Sequence, residues 1–121
     1  MLVSELKPVR WMGSARKDLK DFPAEVRRHI GQALYAAQRG EQYPSVKALH
    51  GFGGRSVLEI TAFDEAGTYR AVYTVRFQDA IYVLHVFQKK STKGITTPKR
   101  EIELIRQRLA AAEGDYKERQ N

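Results

Sequence analysis

Three consecutive segments in the middle of the chain, residues 57–63, 68–76 and 81–87, have the character of β-strands. In the first, apolar and polar residues alternate, so that one side of a strand would be apolar. The other two are rich in valine and tyrosine, which favour strands. The residues between the segments, 64–67 and 78–80, are typical of turns. Strands joined by such short turns pair side by side, and the sequence therefore predicts an antiparallel meander.

Helical patterns lie on both sides of this meander. A short segment from Ser14 to Lys20 begins with a residue that is favoured as an N-cap. From Ala24 onward, apolar residues recur at the spacing of an amphipathic helix, which Gly40 ends. A last helix, apolar on one face, is predicted to begin after Thr97-Pro98.

The order of the elements defines the fold class. Residues 6–12 are predicted to form a short edge strand, because Pro8 cannot donate a hydrogen bond to a neighbouring strand. The order is then β-α-α-β-β-β-α, which predicts an α+β fold with helices on one face of an antiparallel sheet. The length of 121 residues fits a single domain. We place this domain at residues 1–113 and expect a polar, frayed tail at 114–121.

The charge of the chain points to the kind of partner it binds. Lysine and arginine number 21 against 14 acidic residues, which gives a net charge of +7. A small domain this basic favours a polyanionic partner such as nucleic acid. The chain has no cysteine, which excludes disulfide scaffolds, thiolate zinc sites and cysteine nucleophiles. The N-terminus lacks the apolar run of a signal peptide, so we expect a cytoplasmic protein with no membrane partner.

The sequence does not predict a bound cofactor or metal ion. The histidines, His29, His50 and His85, are scattered at spacings that do not match metal-ligand motifs. The glycine-rich segment 51–54 lacks the lysine and hydroxyl residue that end a phosphate-binding loop, and it precedes a strand rather than a helix. We therefore expect neither a metal nor a cofactor.

An arginine in the middle of the second meander strand is the first candidate functional residue. Alternation places Arg70 on the face opposite Tyr69 and Tyr73, which look like core residues. Because an unpaired buried charge costs several kcal/mol, Arg70 is expected on the uncovered face of the sheet. The alternative is a purely structural arginine, exposed to solvent or paired with Glu59 on the neighbouring strand.

The third strand leads into a basic segment. If alternation continues, His85, Phe87 and Lys89 share one face with Ile81 and Val83. Four residues, Arg70, His85, Lys89 and Lys90, could then converge. RNA cleavage by its own 2′-hydroxyl needs a proton acceptor, a proton donor and positive charge around the phosphorane, and such a group can supply them without a metal.

Several short motifs together resemble one known family. They are Tyr69-Arg70-Ala71-Val72-Tyr73, His85-Val86-Phe87-Gln88-Lys89-Lys90, and Thr97-Pro98 before Glu101-Ile102. With the order of elements, this pattern resembles the RelE/ParE superfamily of type II toxins, and within it the phage-derived HigB-like branch. The resemblance extends from Lys7 to Ala112. It implies a small RelE-like (microbial-RNase-like) fold and a ribosome-dependent mRNA endoribonuclease.

The resemblance also implies roles for individual residues. Arg70 falls on the strand arginine that RelE-type toxins use at the scissile phosphate, and Lys89 and Lys90 fall on a basic pair that leaves the last strand. The lysines of the preceding RelE strand have no counterpart here, so their proton-transfer roles do not carry over, and neither does that of the C-terminal tyrosine. Chemistry alone suggests His85 or His50 as the base. The expected RNA-binding residues are Lys47, His50, Arg55, Arg76, Phe87, Lys93 and Lys99.

The partners follow from the same resemblance. It implies a cognate antitoxin of the helix-turn-helix type, acidic where it contacts this basic chain, with DNA reached only through the antitoxin complex. The ribosome and mRNA would be the targets. Two alternatives remain open: a ParE-like inhibitor of DNA gyrase that cleaves nothing, and a domesticated relative that only binds RNA.

Overall fold

The computed structural model describes residues 6–54, 56–89 and 97–121. These residues form one five-stranded sheet and three helices. The strands are β1 (Val9–Trp11), β2 (Lys47–Ala48), β3 (Val57–Asp64), β4 (Gly67–Thr74) and β5 (Ile81–Lys89), and the helices are α1 (Ala15–Lys20), α2 (Ala24–Gln38) and α3 (Lys99–Gln120). The predicted α+β class and the order of the main elements are confirmed. The short strand β2 is an addition within a segment that the sequence marks as a loop.

The sheet has the order β1-β5-β4-β3-β2. The predicted meander of β3, β4 and β5 is antiparallel throughout. Strand β1 lies at one edge and runs parallel to β5, with Val9 opposite Ile81. The edge position of β1 agrees with Pro8, whose carbonyl accepts a hydrogen bond from the amide of Ile81 at 2.9 Å.

A β-bulge in β5 changes which side chains share a face. Val72 lies opposite His85, whereas its neighbour Tyr73 lies opposite Val83, so Leu84 is the extra residue. The prediction that His85, Phe87 and Lys89 share a face with Ile81 and Val83 is therefore wrong. The bulge shifts the alternation by one residue, which places Ile81 and Val83 in the core beneath the first two helices and Phe87 in the core on the opposite side.

The helices cover both faces of the sheet. Helices α1 and α2 pack on the face that carries Tyr69, Ala71 and Tyr73. Helix α3 packs on the other face, with the apolar residues Ile105, Leu109 and Ala112. The expectation of helices on a single face is wrong because β4 and β5 carry large apolar side chains on both sides. Covering one such side chain contributes about 1.5–3 kcal/mol. Those that need α3 are Val72, Tyr82, Leu84 and Phe87.

The segment expected to be a frayed tail is instead the C-terminal end of α3. The helix continues past Gly114 to Gln120 because its side chains bind the sheet. The hydroxyl of Tyr82 donates to Asp115 at 2.6 Å, and the ring of Tyr116 stacks on Phe77 with 4.8 Å between centroids. The hydrogen bond from Tyr82 and the guanidinium of Arg119 hold the pKa of Asp115 below its usual range. The contact therefore stabilises the fold at neutral pH, and acid that protonates Asp115 removes this contribution.

If the end of α3 is docked in this way, replacing Tyr116 will destabilise the whole domain. We expect Tyr116→Ala to lower the free energy of unfolding by about 1–2 kcal/mol, because it removes a stacked aromatic pair. Urea unfolding followed by circular dichroism measures this change. Lys117→Ala, an exposed neighbour, is the control and should leave the midpoint unchanged. Equal midpoints for Tyr116→Ala and the wild type would show that the end of the helix is not docked.

Candidate functional site

The α3-covered face of the sheet contains a nearly buried ion pair. Arg70 Nη1 donates to Glu59 Oε1 at 2.8 Å, and the two side chains are 9% and 12% exposed. The expectation that Arg70 faces an uncovered side of the sheet is wrong, because α3 covers that side. The alternative of a pairing with Glu59 describes the geometry. A buried guanidinium needs such a partner, since removing one member of a buried pair leaves an uncompensated charge.

The Arg70–Glu59 pair can make hydrogen bonds beyond the one that joins its two members. The second oxygen of Glu59, Oε2, accepts a hydrogen bond from Thr97 Oγ1 at 3.2 Å, just before α3 begins. Arg70 Nε is buried and has no hydrogen-bond partner among the described residues. A guanidinium has five N–H donors in a fixed fork, which suits phosphate oxygens. Glu59 therefore holds one edge of Arg70, and another donor is left without a partner.

The imidazole of His85 lies on the same face and is enclosed on all its polar edges. Nε2 lies 2.8 Å from Glu101 Oε1, and Nδ1 lies 3.2 Å from Arg108 Nη1. The ring stacks on Phe87, with 5.1 Å between centroids and 19° between planes. His85 is 6% exposed. In this arrangement, both ring nitrogens are occupied by a polar contact.

The strand register relates the catalytic candidates to one another. Three alternate pairs of β4 and β5 are Thr68 with Lys89, Arg70 with Phe87, and Val72 with His85. Cross-strand partners share a face, so Lys89, Arg70 and His85 lie side by side on the side of the sheet that faces α3. Lys89 is buried there and has an interaction of its own. Lys90 lies outside the described residues.

The expected RNA-binding residues are less clustered. Lys47 lies opposite Glu59 in the sheet and is exposed, and His50 and Lys99 are exposed as well. Phe87 is buried beneath His85 and offers no open ring face. Arg76 lies beyond the far end of β4, where it pairs with Glu113 at 3.2 Å, and the structure does not bring it to Arg70. Arg55 and Lys93 lie outside the described residues.

Glu101 and Arg108 are the site residues that the sequence-based prediction missed. They lie four residues before and three residues after Ile105, which is fully buried against the sheet. At helical spacing, residues three and four apart share a face, so both belong to the stripe of α3 that faces the sheet. Charged residues within an apolar helical stripe are the signal that could have found them.

Two kinds of structural feature, a membrane-spanning helix and a metal-binding cluster, are absent from the described part of the chain. No helix there combines the length and apolar character needed to cross a membrane. This part of the chain also brings together no group of three or more His, Asp or Glu side chains that could hold a metal ion.

Comparison with solved structures establishes the class of fold. The isolated E. coli RelE toxin superimposes with a TM-score of 0.56 at 18% identity, covering 72% of this chain and 88% of that one. A double arginine-to-alanine mutant of E. coli RelE in the free state gives 0.54 at 17% identity, covering 73% and 88%. The RelBE2 toxin-antitoxin complex of Mycobacterium tuberculosis gives 0.47 at 20% identity, covering 74% and 98%. The two E. coli structures show that the chain has the RelE fold.

The family is established from the sequence. The model of the family described as "Phage derived protein Gp49-like (DUF891)" matches residues 17–110, and this chain belongs to that family. No curated protein sequence matches it. The predicted resemblance to the RelE superfamily and to its phage-derived branch is thereby confirmed.

The Arg70–Glu59 pair makes a direct prediction about stability. We expect Glu59→Ala to lower the free energy of unfolding by about 3 kcal/mol, because it leaves a buried guanidinium unpaired. The double variant Glu59→Ala/Arg70→Ala should recover much of that loss, since it removes the uncompensated charge. Glu113→Ala, which breaks the exposed pair with Arg76, should cost about 1 kcal/mol or less. Denaturant unfolding of the four proteins tests the prediction, and a double variant less stable than Glu59→Ala would contradict it.

Proposed function

We propose that this chain is the toxin of a type II toxin-antitoxin system and cleaves mRNA on the ribosome as a metal-independent endoribonuclease. The observation that carries the proposal is the buried Arg70 guanidinium with a donor to spare, beside Lys89 and the His85–Glu101 pair, within a RelE-like fold. Membership of the Gp49-like phage-derived family supports the same function.

The chemistry assigned to the site is attack of a ribose 2′-hydroxyl on the adjacent phosphodiester. The 2′-oxygen forms a bond to phosphorus, the bond to the 5′-oxygen breaks, and the products carry a 2′,3′-cyclic phosphate and a 5′-hydroxyl. Arg70 binds the phosphoryl oxygens through the donors that Glu59 leaves free, and Lys89 and Lys90 add positive charge. The exposed Lys47, His50 and Lys99, with Arg55 and Lys93, bind the RNA backbone, so binding weakens steeply with salt.

Access to these residues imposes a condition on the reaction. Arg70 and His85 are each more than nine-tenths buried. Arg70 contacts Glu59, which Thr97 binds just before α3 begins, and His85 contacts Glu101 on α3 itself. RNA therefore reaches the site by loosening the first turn of α3. In this proposal the ribosome-bound message supplies the binding energy for that change.

The proposed partner in the resting state is an antitoxin. A chain with a net charge of +7 fits a partner that is acidic at the contact, and charge complementarity of this kind speeds association. A helix-turn-helix antitoxin would bring the complex to DNA, which the toxin would reach only as part of that complex, and we place the toxin in the cytoplasm.

The same burial favours a second candidate function. If the ion pairs of Arg70 and His85 are purely structural, the chain acts by binding alone, either as a ParE-like inhibitor of DNA gyrase or as a domesticated RNA-binding relative. These alternatives need no accessible catalytic group. They differ from the nuclease in what happens to messages inside the cell.

Controlled expression followed by mapping of new RNA 5′ ends tests the proposed function. We expect the wild type to produce cuts inside translated codons and Arg70→Ala to reduce them about 100-fold or more, because a group that stabilises the phosphorane is lost. Arg39→Ala, just after the end of α2 and in an exposed pair with Glu41, is the matched control and should cut like the wild type.

The other outcomes separate the alternatives. Arg70→Ala leaves the Glu59 carboxylate without its ion-pair partner. The variant Glu59→Gln/Arg70→Ala is therefore tested beside it, and the amount of folded protein is measured for each. Growth arrest with intact messages and a DNA-damage response would assign the chain to gyrase inhibition. Harmless expression of folded wild type would assign it to the domesticated relatives. Cuts that persist in both Arg70 variants would refute the assigned role of Arg70.

A further inference from the structure

Arg108 connects three elements at the edge of the candidate site. From the middle of α3, its Nη1 donates to the carbonyl of Leu84 at 3.0 Å and lies 3.2 Å from His85 Nδ1. Its Nη2 donates to Ser14 Oγ at 3.2 Å, in front of α1. The Ser14 hydroxyl in turn donates to Asp18 at 2.7 Å. A chain of polar contacts therefore extends from α1 to the His85–Glu101 pair.

The chemistry of arginine fixes the protonation of the imidazole. A guanidinium only donates hydrogen bonds, so His85 Nδ1 must accept the bond from Arg108. A neutral imidazole that accepts at Nδ1 carries its proton at Nε2. Nε2 faces Glu101 Oε1 at 2.8 Å, where a carboxylate can only accept. The two contacts thus specify the same tautomer, with the proton on Nε2.

We propose that Arg108 is a positioning residue, which holds His85 as the neutral Nε2–H tautomer and makes Glu101 the proton acceptor of the site. His85 Nδ1 is occupied by Arg108, and its Nε2–H is spent on orienting the carboxylate. A carboxylate has about four lone-pair positions, so Glu101 retains acceptor capacity after binding His85.

The catalytic part of this inference rests on the proposed function. In the cleavage step, the proton of the 2′-hydroxyl passes to the Glu101 carboxylate while the 2′-oxygen bonds to phosphorus. The bond to the 5′-oxygen breaks, and that oxygen takes a proton from solvent. The tautomer of His85, in contrast, follows from the contacts alone.

A glycine provides the space that Arg108 occupies. Gly13 has a φ of +53°, and a Cβ atom there would lie 2.8 Å from the Nε, Cζ and Nη2 atoms of Arg108. Any side chain at this position would displace the guanidinium from His85. The backbone between β1 and α1 is therefore shaped to accept this arginine.

The charged side chains around His85 lie on α3, β4 and β5. Glu101 and Arg108 contact it from α3, and the apolar Val72 lies opposite it on β4. Arg70 and Lys89 lie further along the same face. Arg108 is the cation in contact with the ring, and it occupies the acceptor position of Nδ1. When Arg108 is removed, Nδ1 loses this hydrogen-bond donor, whereas the contact of Nε2 with Glu101 remains.

Nuclear magnetic resonance of the full chain, labelled with ¹⁵N in histidine, tests the inference. Long-range ¹H–¹⁵N spectra near neutral pH distinguish the two neutral tautomers from the imidazolium. We expect His85 Nδ1 to be unprotonated in the wild type near neutral pH. We expect Arg108→Met to change the ¹⁵N chemical shift of His85 Nδ1 at the same pH, because it removes the hydrogen bond that this nitrogen accepts.

Arg106→Met is the matched control for this experiment. Arg106 lies on the same helix, donates to the carbonyl of Gly51 at 2.9 Å and stacks on Phe52, so it makes the same kinds of contact away from His85. It should leave the ring unchanged. Gly13→Ala displaces Arg108 without removing it and should reproduce the effect of Arg108→Met, with backbone amide spectra confirming that each variant is folded.

Two results would overturn the inference. A protonated Nδ1 in neutral wild-type His85, or identical histidine spectra for Arg108→Met and the wild type, would reduce Arg108 to a structural tie between α1, β5 and α3. If the wild type cleaves RNA, Glu101→Gln should lower kcat about 100-fold with KM unchanged. Unchanged kcat would show that Glu101 is not the proton acceptor, while the proposed function stands. A wild type that never cleaves RNA would refute the proposed function, and the tautomer of His85 would still be tested by the NMR spectra.

Discussion

A charge placed between a sheet and a helix is the constraint on which this structure depends. Arg70 lies in the middle of β4, where α3 excludes most of the solvent, and the fold must neutralise it. Glu59 does so from the adjacent strand, and Thr97 holds the second oxygen of Glu59 where the chain enters α3. The start of α3 is thus fixed by a polar contact, whereas its middle is fixed by Ile105 and Leu109.

In the same layer, Arg70 and His85 are each paired with an acid from another element. Glu59 on β3 serves Arg70 on β4, and Glu101 on α3 serves His85 on β5. A site that binds RNA requires its positive charge to be available, whereas a stable free protein requires it to be compensated. In the resting chain these carboxylates satisfy the second requirement. They do not satisfy the first, so in the proposed function Arg70 and His85 become available only when RNA displaces these contacts.

The elements that depend on local sequence were predictable, and those that depend on long-range packing were not. The alternation of β3 and the spacing of α2 show in the sequence, and even the pairing of Arg70 with Glu59 could be weighed from strand neighbours. The bulge at Leu84 could not be predicted, because it is set by the fit of β5 to β4. It changes which face of the sheet the side chains of β5 occupy on either side of it. The docking of α3 past Gly114 depends on Tyr82 and Phe77, which are distant in sequence.

The parallel pairing of β1 with β5 determines when the molecule can become complete. Arg10 binds the hydroxyl of Tyr82, which lies 72 residues later in the chain. Before contacts between such distant segments can form, the chain between them must close into a loop, which costs entropy. Such contacts therefore slow folding. On a chain emerging from the ribosome, β1 has no partner until β5 is synthesised, and the α3 side of the sheet stays open until α3 follows. The candidate site is therefore assembled by the last quarter of the chain, at the end of synthesis.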